Sequence, residues 1–219
     1  MNILVIAPHP DDEILGCGGA IIKHIKNNDD VYLCIMTKGD VKYYGEETLK
    51  EKRQEVLKVA DFLKIKKIFF CDFIAAHLDT YPQNQINQKL REIIQEVQPH
   101  TIYLPHQSDL HRDHQLTFQC ALVAAKPILT HFIKIIISYE TLSETEQSSQ
   151  YTNPFIPNYY INITPQLAQK KQALELYQSE LRSYPHPRSP QALDIKAKSR
   201  GIEIGVEAAE AFMIIKQID

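Results

Sequence analysis

Ile3-Leu4-Val5-Ile6-Ala7-Pro8-His9-Pro10-Asp11-Asp12-Glu13 is the stretch on which the fold turns. Its apolar run is short and closed by proline, so it reads as a buried strand spanning Asn2 to Ala7. A helix-like segment from Glu13 to Lys26 follows directly. One imidazole and three carboxylates therefore occupy a strand-to-helix turn at the carboxyl end of the first strand. Open α/β sheets gather ligands at such ends. Pro8 and Pro10 fix φ on either side of His9 and restrict the residue before each, so the turn is stiff. Three acids beside one histidine repel one another unless a cation sits among them. A plainer reading, acids complementing a helix macrodipole, accounts for Asp12 and Glu13 but leaves His9 and the prolines unused.

Outward from this turn, strands and helices alternate. Gly16, Gly18 and Gly19 stand early in the first helix, where each costs about 1 kcal/mol against Ala, so the backbone there approaches the sheet or a ligand closely. The pattern is not GxGxxG, and no dinucleotide fingerprint is claimed. Val31 to Thr37 reads as strand two and Lys38 to Gly45 as a loop. The helix Glu46 to Leu63 carries an apolar stripe of Leu49, Val56, Ala60 and Leu63, with Arg53 on that stripe. Arg53 then either snorkels at the stripe's edge or reaches the ligand edge of the sheet. Ile68 to Cys71 is a strand, Asn84 to Val97 an amphipathic helix, and Thr101 to Leu104 a strand. A helix from Gln115 to Ala125, a strand from Ile133 to Tyr139 and a polar surface loop from Glu140 to Pro157 come next. Tyr159 to Ile163 is a further strand, Pro165 starts a helix to about Leu181, a last helix begins near Gln191, and Ala211 to Lys216 closes the chain as a strand. The alternation predicts an α/β fold with a mostly parallel sheet and helices on both faces.

The 219 residues suffice for one such domain, residues 1–219, without a second. A net charge of -3 and the lack of a basic block disfavour nucleic acid as a partner. The chain enters a strand almost at its first residue, and Lys126, Pro127, His131 and Lys134 interrupt the most apolar region; neither a signal peptide nor a membrane span is expected. Cys17, Cys34, Cys71 and Cys120 form no CxxC pair and read as reduced, mostly buried thiols of a cytoplasmic protein.

The strand Thr101 to Leu104 runs out into Pro105-His106-Gln107-Ser108-Asp109-Leu110-His111-Arg112-Asp113-His114, so a second strand end delivers His and Asp. Catalytic zinc takes three protein ligands and leaves a position for water. His9, Asp12 and His114 would make such a set, leaving Asp11, His111 and Asp113 for chemistry. A carboxylate beside the zinc-bound water can act as general base. An imidazole opposite, oriented by a second carboxylate, can hold an oxyanion or protonate a leaving amine. His24, His77, His100, His106, His131 and His186 lack a partner at ligand spacing and read as structural or exposed, with His106 nearest the site.

Pro8-His9-Pro10-Asp11-Asp12-Glu13 and His111-Arg112-Asp113-His114 resemble the two signature motifs of the LmbE-like, or PIG-L-type, zinc-dependent N-deacetylases. The resemblance continues through Gly16-Cys17-Gly18-Gly19, Thr37-Lys38-Gly39, Arg53 with Glu55, Arg200-Gly201 and Ala209-Glu210-Ala211-Phe212. It implies a Rossmann-like fold and removal of an N-acetyl group from an N-acetylglucosamine-type small molecule or glycoside. By motif position it implies Zn²⁺ on His9, Asp12 and His114, and Asp11 as general base. It further implies His111 as electrostatic or acid partner, Asp113 as the group orienting His111, and Arg53 at the substrate. Asp109 stands where some members carry a tyrosine, so a tyrosine role in oxyanion binding does not transfer. Two alternatives remain: the same chemistry on a non-sugar N-acyl substrate, and a catalytically silent zinc- or sugar-binding module. A homo-oligomer is compatible with the sequence.

Overall fold

The computed structural model describes residues 1–127, 132–149 and 151–219. Among the described residues, β1 Asn2–Ala7, β2 Asp30–Lys38, β3 Lys67–Ile74, β4 Thr101–Leu104, β5 Ile135–Tyr139, β6 Tyr159–Asn162 and β7 Ala209–Gln217 form one sheet. Its order is β3-β2-β1-β4-β5-β7-β6. Strands β1 to β5 pair in parallel, and β7 lies antiparallel to both β5 and β6. Helices α1 Asp12–Lys26, α2 Val41–Tyr44, α3 Glu46–Leu63, α4 Gln83–Val97, α5 Arg112–Ala124, α6 Leu167–Glu175 and α7 Pro190–Ile204 connect them. Strand β1 sends Ile3, Val5 and Ala7 into one core, with α1, α3, α6 and α7, and Leu4 and Ile6 into the other, with α4 and α5. Burial on both faces is why the strand reads as an unbroken apolar run. The fold is the α/β arrangement that the sequence predicts. No described helix is long and apolar enough to cross a membrane.

The connection from β1 through α1 and the connection from β3 through α4 to β4 lie on opposite faces of the sheet, since α1 and α4 pack in different cores. Yet β1 and β4 are neighbours, with Val5 beside Tyr103. Their carboxyl ends therefore flank a topological switch point, the crevice where doubly wound sheets bind ligands. The two His- and Asp-bearing turns start from these ends.

Several elements differ in extent from the sequence expectation. The segment read as a loop after β2 contains the short helix α2, held by Asp40, whose side chain accepts from the Lys42 backbone N–H. The helix expected to reach Leu181 is a 3₁₀ turn, Thr164–Gln166, followed by α6, which ends at Glu175. Beyond it, Tyr177 is tied to Glu13 at 2.6 Å, and Ser179 to Glu55 through N–H and hydroxyl at 3.0 and 2.6 Å. Tertiary partners override helix propensity there. All four cysteines are free thiols.

The glycines of α1 serve the sheet. A Cβ on Gly16 would stand 2.2 Å from the Tyr139 ring, and one on Gly19 2.6 Å from Ile163. Between them α1 is kinked at Cys17, with φ -140° and ψ 22°. The kink frees backbone groups, and two buried charges satisfy them: Glu210 accepts from the N–H of Gly19 and Ala20 at 2.6 and 2.7 Å, and Lys170 donates to the Leu15 carbonyl at 3.2 Å. Lys170 and Glu210 pair at 2.7 Å, so neither charge is buried alone.

Candidate metal and active site

The turn after β1 is fixed by its backbone. Thr37 donates to the Pro8 carbonyl through N–H at 3.1 Å and hydroxyl at 2.8 Å, and Asp12 Oδ2 accepts from the His9 N–H at 2.8 Å. Asp12 is fully buried and stands between two imidazoles, with Oδ2 3.3 Å from His9 Nδ1 and 3.2 Å from His114 Nε2. Despite that approach His114 Nε2 has no hydrogen-bond partner, and neither does Asp12 Oδ1. Ligand atoms held this close can share one cation between them. Donors about 2.0–2.1 Å from a tetrahedral zinc stand about 3.3 Å from one another, the spacing of each imidazole from Asp12 Oδ2. His9, Asp12 and His114 form a metal-compatible cluster with ligand atoms within 4.8 Å.

Each imidazole is oriented from behind. His114 Nδ1 donates to Asp109 Oδ2 at 2.8 Å, which turns Nε2 toward Asp12. His9 Nε2 donates to Asp113 Oδ2 at 3.0 Å, leaving Nδ1 toward Asp12. Asp113 is itself held by the Ala76 and Leu78 N–H groups at 2.7 and 3.2 Å. The Asp113 carboxylate faces both histidines, 3.0 Å from His9 Nε2 and 3.9 Å from His111 Nδ1. His111 is oriented by the Asp113 backbone, whose N–H donates to His111 Nδ1 at 3.1 Å, so the ring proton resides on Nε2. Burial and the neighbouring His9 push the His111 pKa down to about 4, and the ring is a neutral donor at pH 7.

Asp11 caps α1 with a left-handed backbone, φ 96°. Such a conformation in a non-glycine residue costs about 1–3 kcal/mol and collects at active sites. Both carboxylate oxygens are buried and accept no hydrogen bond. Burial raises the Asp11 pKa well above the usual carboxylate value, and Arg188, with Nε 3.7 Å from Oδ2, opposes the rise. A desolvated carboxyl of this kind is suited to proton transfer near neutral pH.

A cleft of about 800 Å³ opens from His9, Asp11 and His111 along α2, α3 and β3. Arg53 lines it. Its guanidinium stacks 3.8 Å from the Phe70 ring centroid and pairs with Asp72 at 2.9 Å. The stripe assigned to Arg53 from sequence is corrected: α3 buries Val56, Val59, Ala60 and Leu63, while the side chains of Arg53 and Asp72 are 46 % and 40 % exposed. A pair that exposed contributes at most about 1 kcal/mol. Arg53→Ala should therefore keep its melting temperature within a few degrees while raising KM and lowering kcat for whatever occupies the cleft. Thermal unfolding and steady-state kinetics on one preparation check this; a large stability loss with unchanged kinetics would make Arg53 structural.

Sequence reasoning missed Arg188. Besides facing Asp11, it reaches Glu180 at 3.1 Å and the Ser143 hydroxyl at 3.3 Å, and it lines the cleft. Glu180 also binds Lys52. Nothing local marks the Tyr184–Pro190 segment as part of the site. His24 proves structural, bridging Asp29 and the Tyr103 hydroxyl, and His106 meets the Asn153 carbonyl at 3.1 Å. His131 lies outside the described residues.

A model of the family described as PIG-L, GlcNAc-PI de-N-acetylase, matches residues 4–125, more than half of the chain, from within β1 through the end of α5. The chain belongs to the PIG-L family. The matched part carries His9, Asp11, Asp12, Arg53, Asp109, His111, Asp113 and His114. YaiS, an uncharacterized deacetylase of Escherichia coli, is 30% identical over 147 residues, 65% of this chain and 75% of that protein. Diacetylchitobiose deacetylase of Thermococcus kodakarensis is 26% identical over 193 residues, 82% of this chain and 70% of that one. The structure of N,N'-diacetylchitobiose deacetylase from Pyrococcus horikoshii covers 98% of this chain and 83% of its own at TM-score 0.79; at 24% identity, that likeness is one of fold.

The PIG-L site without metal has a defined protonation. Burial opposes a charge on either ring, but hydrogen bonds to Asp113 and Asp12 outweigh it and raise the His9 pKa to about 9. Asp12 and Asp109 likewise raise His114 to about 10. Below those values each ring holds a proton that an incoming metal must displace. Apparent affinity should therefore fall as pH falls, by up to about tenfold per unit for each displaced proton. Calorimetry in buffers of different ionisation enthalpy measures the release; an affinity flat from about pH 6 to 9 would contradict it.

Proposed function

We propose that this PIG-L family chain is a zinc-dependent N-deacetylase that hydrolyses the N-acetyl group of an N-acetylglucosamine-type small molecule or glycoside. The observation that carries the reading is the pairing of a His-Asp-His donor set with a buried carboxyl, Asp11, that has no hydrogen bond of its own. The family match and the named activity of the Thermococcus relative support the N-acetylated sugar as substrate class. The cleft volume supports a ligand larger than one pyranose ring. The cytoplasm is the proposed setting, supported by the free thiols.

His9, Asp12 and His114 would hold the metal. When bound, it supplies Lewis acidity toward the acetyl carbonyl and lowers the pKa of water. Asp11 accepts the proton of the attacking water as the C–O bond forms. His111, whose ring proton resides on Nε2, is suited to donate to the oxygen that gains negative charge. Asp11, now protonated, returns its proton to the amine nitrogen as the C–N bond breaks, giving acetate and a free amine. Arg53 and Arg188, which both line the cleft, are suited to hold hydroxyls and fix the amide against Asp11.

Acetate release by the metal-loaded protein tests this directly, using N-acetylglucosamine, its β-glycosides, N,N'-diacetylchitobiose and non-sugar N-acetyl amines. Turnover confined to the sugars is the expected result. Turnover only on the non-sugar amides would move the substrate, and none on any of them would remove the catalytic reading.

A further inference from the structure

The loop after β5, residues 140–149, looks from sequence like a surface flap, yet it reaches the back of the metal cluster. Thr145 Oγ1 stands 2.6 Å from Asp109 Oδ1, and Asp109 Oδ2 accepts from His114 Nδ1 at 2.8 Å. Thr145 Oγ1 already accepts the Thr141 N–H at 2.8 Å, so its proton is directed at Asp109. Asp109 and His114 are both fully buried, so bulk solvent does not compete for this carboxylate. The Asp109 backbone is pinned too, its carbonyl accepting from the Gln115 amide at 2.8 Å. The loop is fastened beside the chain at Leu110, whose N–H donates to the Glu144 carbonyl at 3.4 Å.

We propose that Thr145 and Asp109 are positioning residues for His114: the loop after β5, through the Thr145 hydroxyl and the Asp109 carboxylate, fixes the ring and tautomer that bind the metal and thereby sets its affinity. This rests on the reading of His114 as a ligand. A carboxylate behind a ligating imidazole holds its orientation and raises its basicity, and losing such a partner typically weakens metal binding about 10–100-fold. The hydroxyl adds a charge-assisted bond that keeps the second carboxylate oxygen from turning toward the ring. Since the same loop carries Ser143 and Glu144, which face Arg188 at 3.3 and 3.9 Å, one segment braces both the metal ligand and the cleft wall.

The test is zinc affinity of metal-stripped protein by competition with a chelating dye, with melting temperature recorded for each variant. Asp109→Asn should weaken binding by about 10–100-fold. Thr145→Val, nearly isosteric but without the donor, should weaken it less and in the same direction, and Thr145→Ser should return it to the wild-type value. Rescue by serine separates a hydroxyl that positions from a side chain that merely packs. If Asp109→Asn fails to fold, the Thr145 pair decides. Wild-type affinity in Thr145→Val, or a loss that serine does not restore, overturns the proposal while leaving the metal site intact. If His114→Ala, titrated alongside, binds zinc as well as wild type, the ligand reading itself fails and the proposal with it.

Discussion

Asp11→Asn is expected to lower acetate release by about 10² to 10⁴-fold, the usual worth of a general base, with metal content unchanged. Asparagine has nearly the shape of aspartate but cannot take the proton from the attacking water. Its fold should survive. Asn tolerates the left-handed backbone that this position demands, φ 96°. It also relieves the burial of a carboxylate that accepts no hydrogen bond. Arg188 keeps Glu180 as a partner at 3.1 Å. A melting temperature at or above that of wild type, together with the lost turnover, is the combined outcome. Turnover within a few-fold of wild type would take Asp11 out of the reaction.

The second large effect concerns the donor set. His9→Ala, Asp12→Ala and His114→Ala should each bring bound metal from about one equivalent per chain to a small fraction, and abolish detectable acetate release. Their stabilities should differ. His114→Ala leaves Asp109 buried with only Thr145, and breaking a buried charged pair costs about 3–5 kcal/mol. In His9→Ala the Asp113 carboxylate retains the Ala76 and Leu78 N–H groups, so that variant should unfold closer to wild type. Elemental analysis and thermal unfolding on the same samples give both numbers. Full metal occupancy in all three variants would rule the set out.

Much of this is legible in the chain, for reasons tied to particular residues. The run from Ile3 to Ile6 is apolar on both strand faces because both faces are covered, and such a run by itself argues for a central parallel strand. The two His- and Asp-rich stretches can be joined because each follows such a strand, and strand ends on one edge converge. What is illegible is what depends on contacts distant in sequence. His111 ends the loop as the N-cap of α5, a position for which Ser, Thr, Asp or Asn is the usual signal, so the sequence points to a helix start at Gln115 rather than Arg112. The hydrogen bonds of Asp113 cannot be read from its neighbour at His111, because the carboxylate reaches across the site to His9 and to two amides of the β3–α4 connection. Arg188 sits in a proline-rich segment with no periodicity and meets Asp11 only in the folded chain. Arg53 misleads by spacing alone: helical period puts it on the buried stripe, whereas the stripe passes through Val59 and leaves it at the cleft.

Acetate release should depend on one metal held by His9, Asp12 and His114. The direct measurement is to strip the purified protein with a chelator, return zinc in fractions of an equivalent, and follow acetate release from an N-acetylglucosamine glycoside at each step. Activity should be absent at the start, rise in proportion to zinc and level off near one equivalent per chain. Undiminished release by the stripped protein, or zinc uptake to one equivalent with no release at any point, would contradict it.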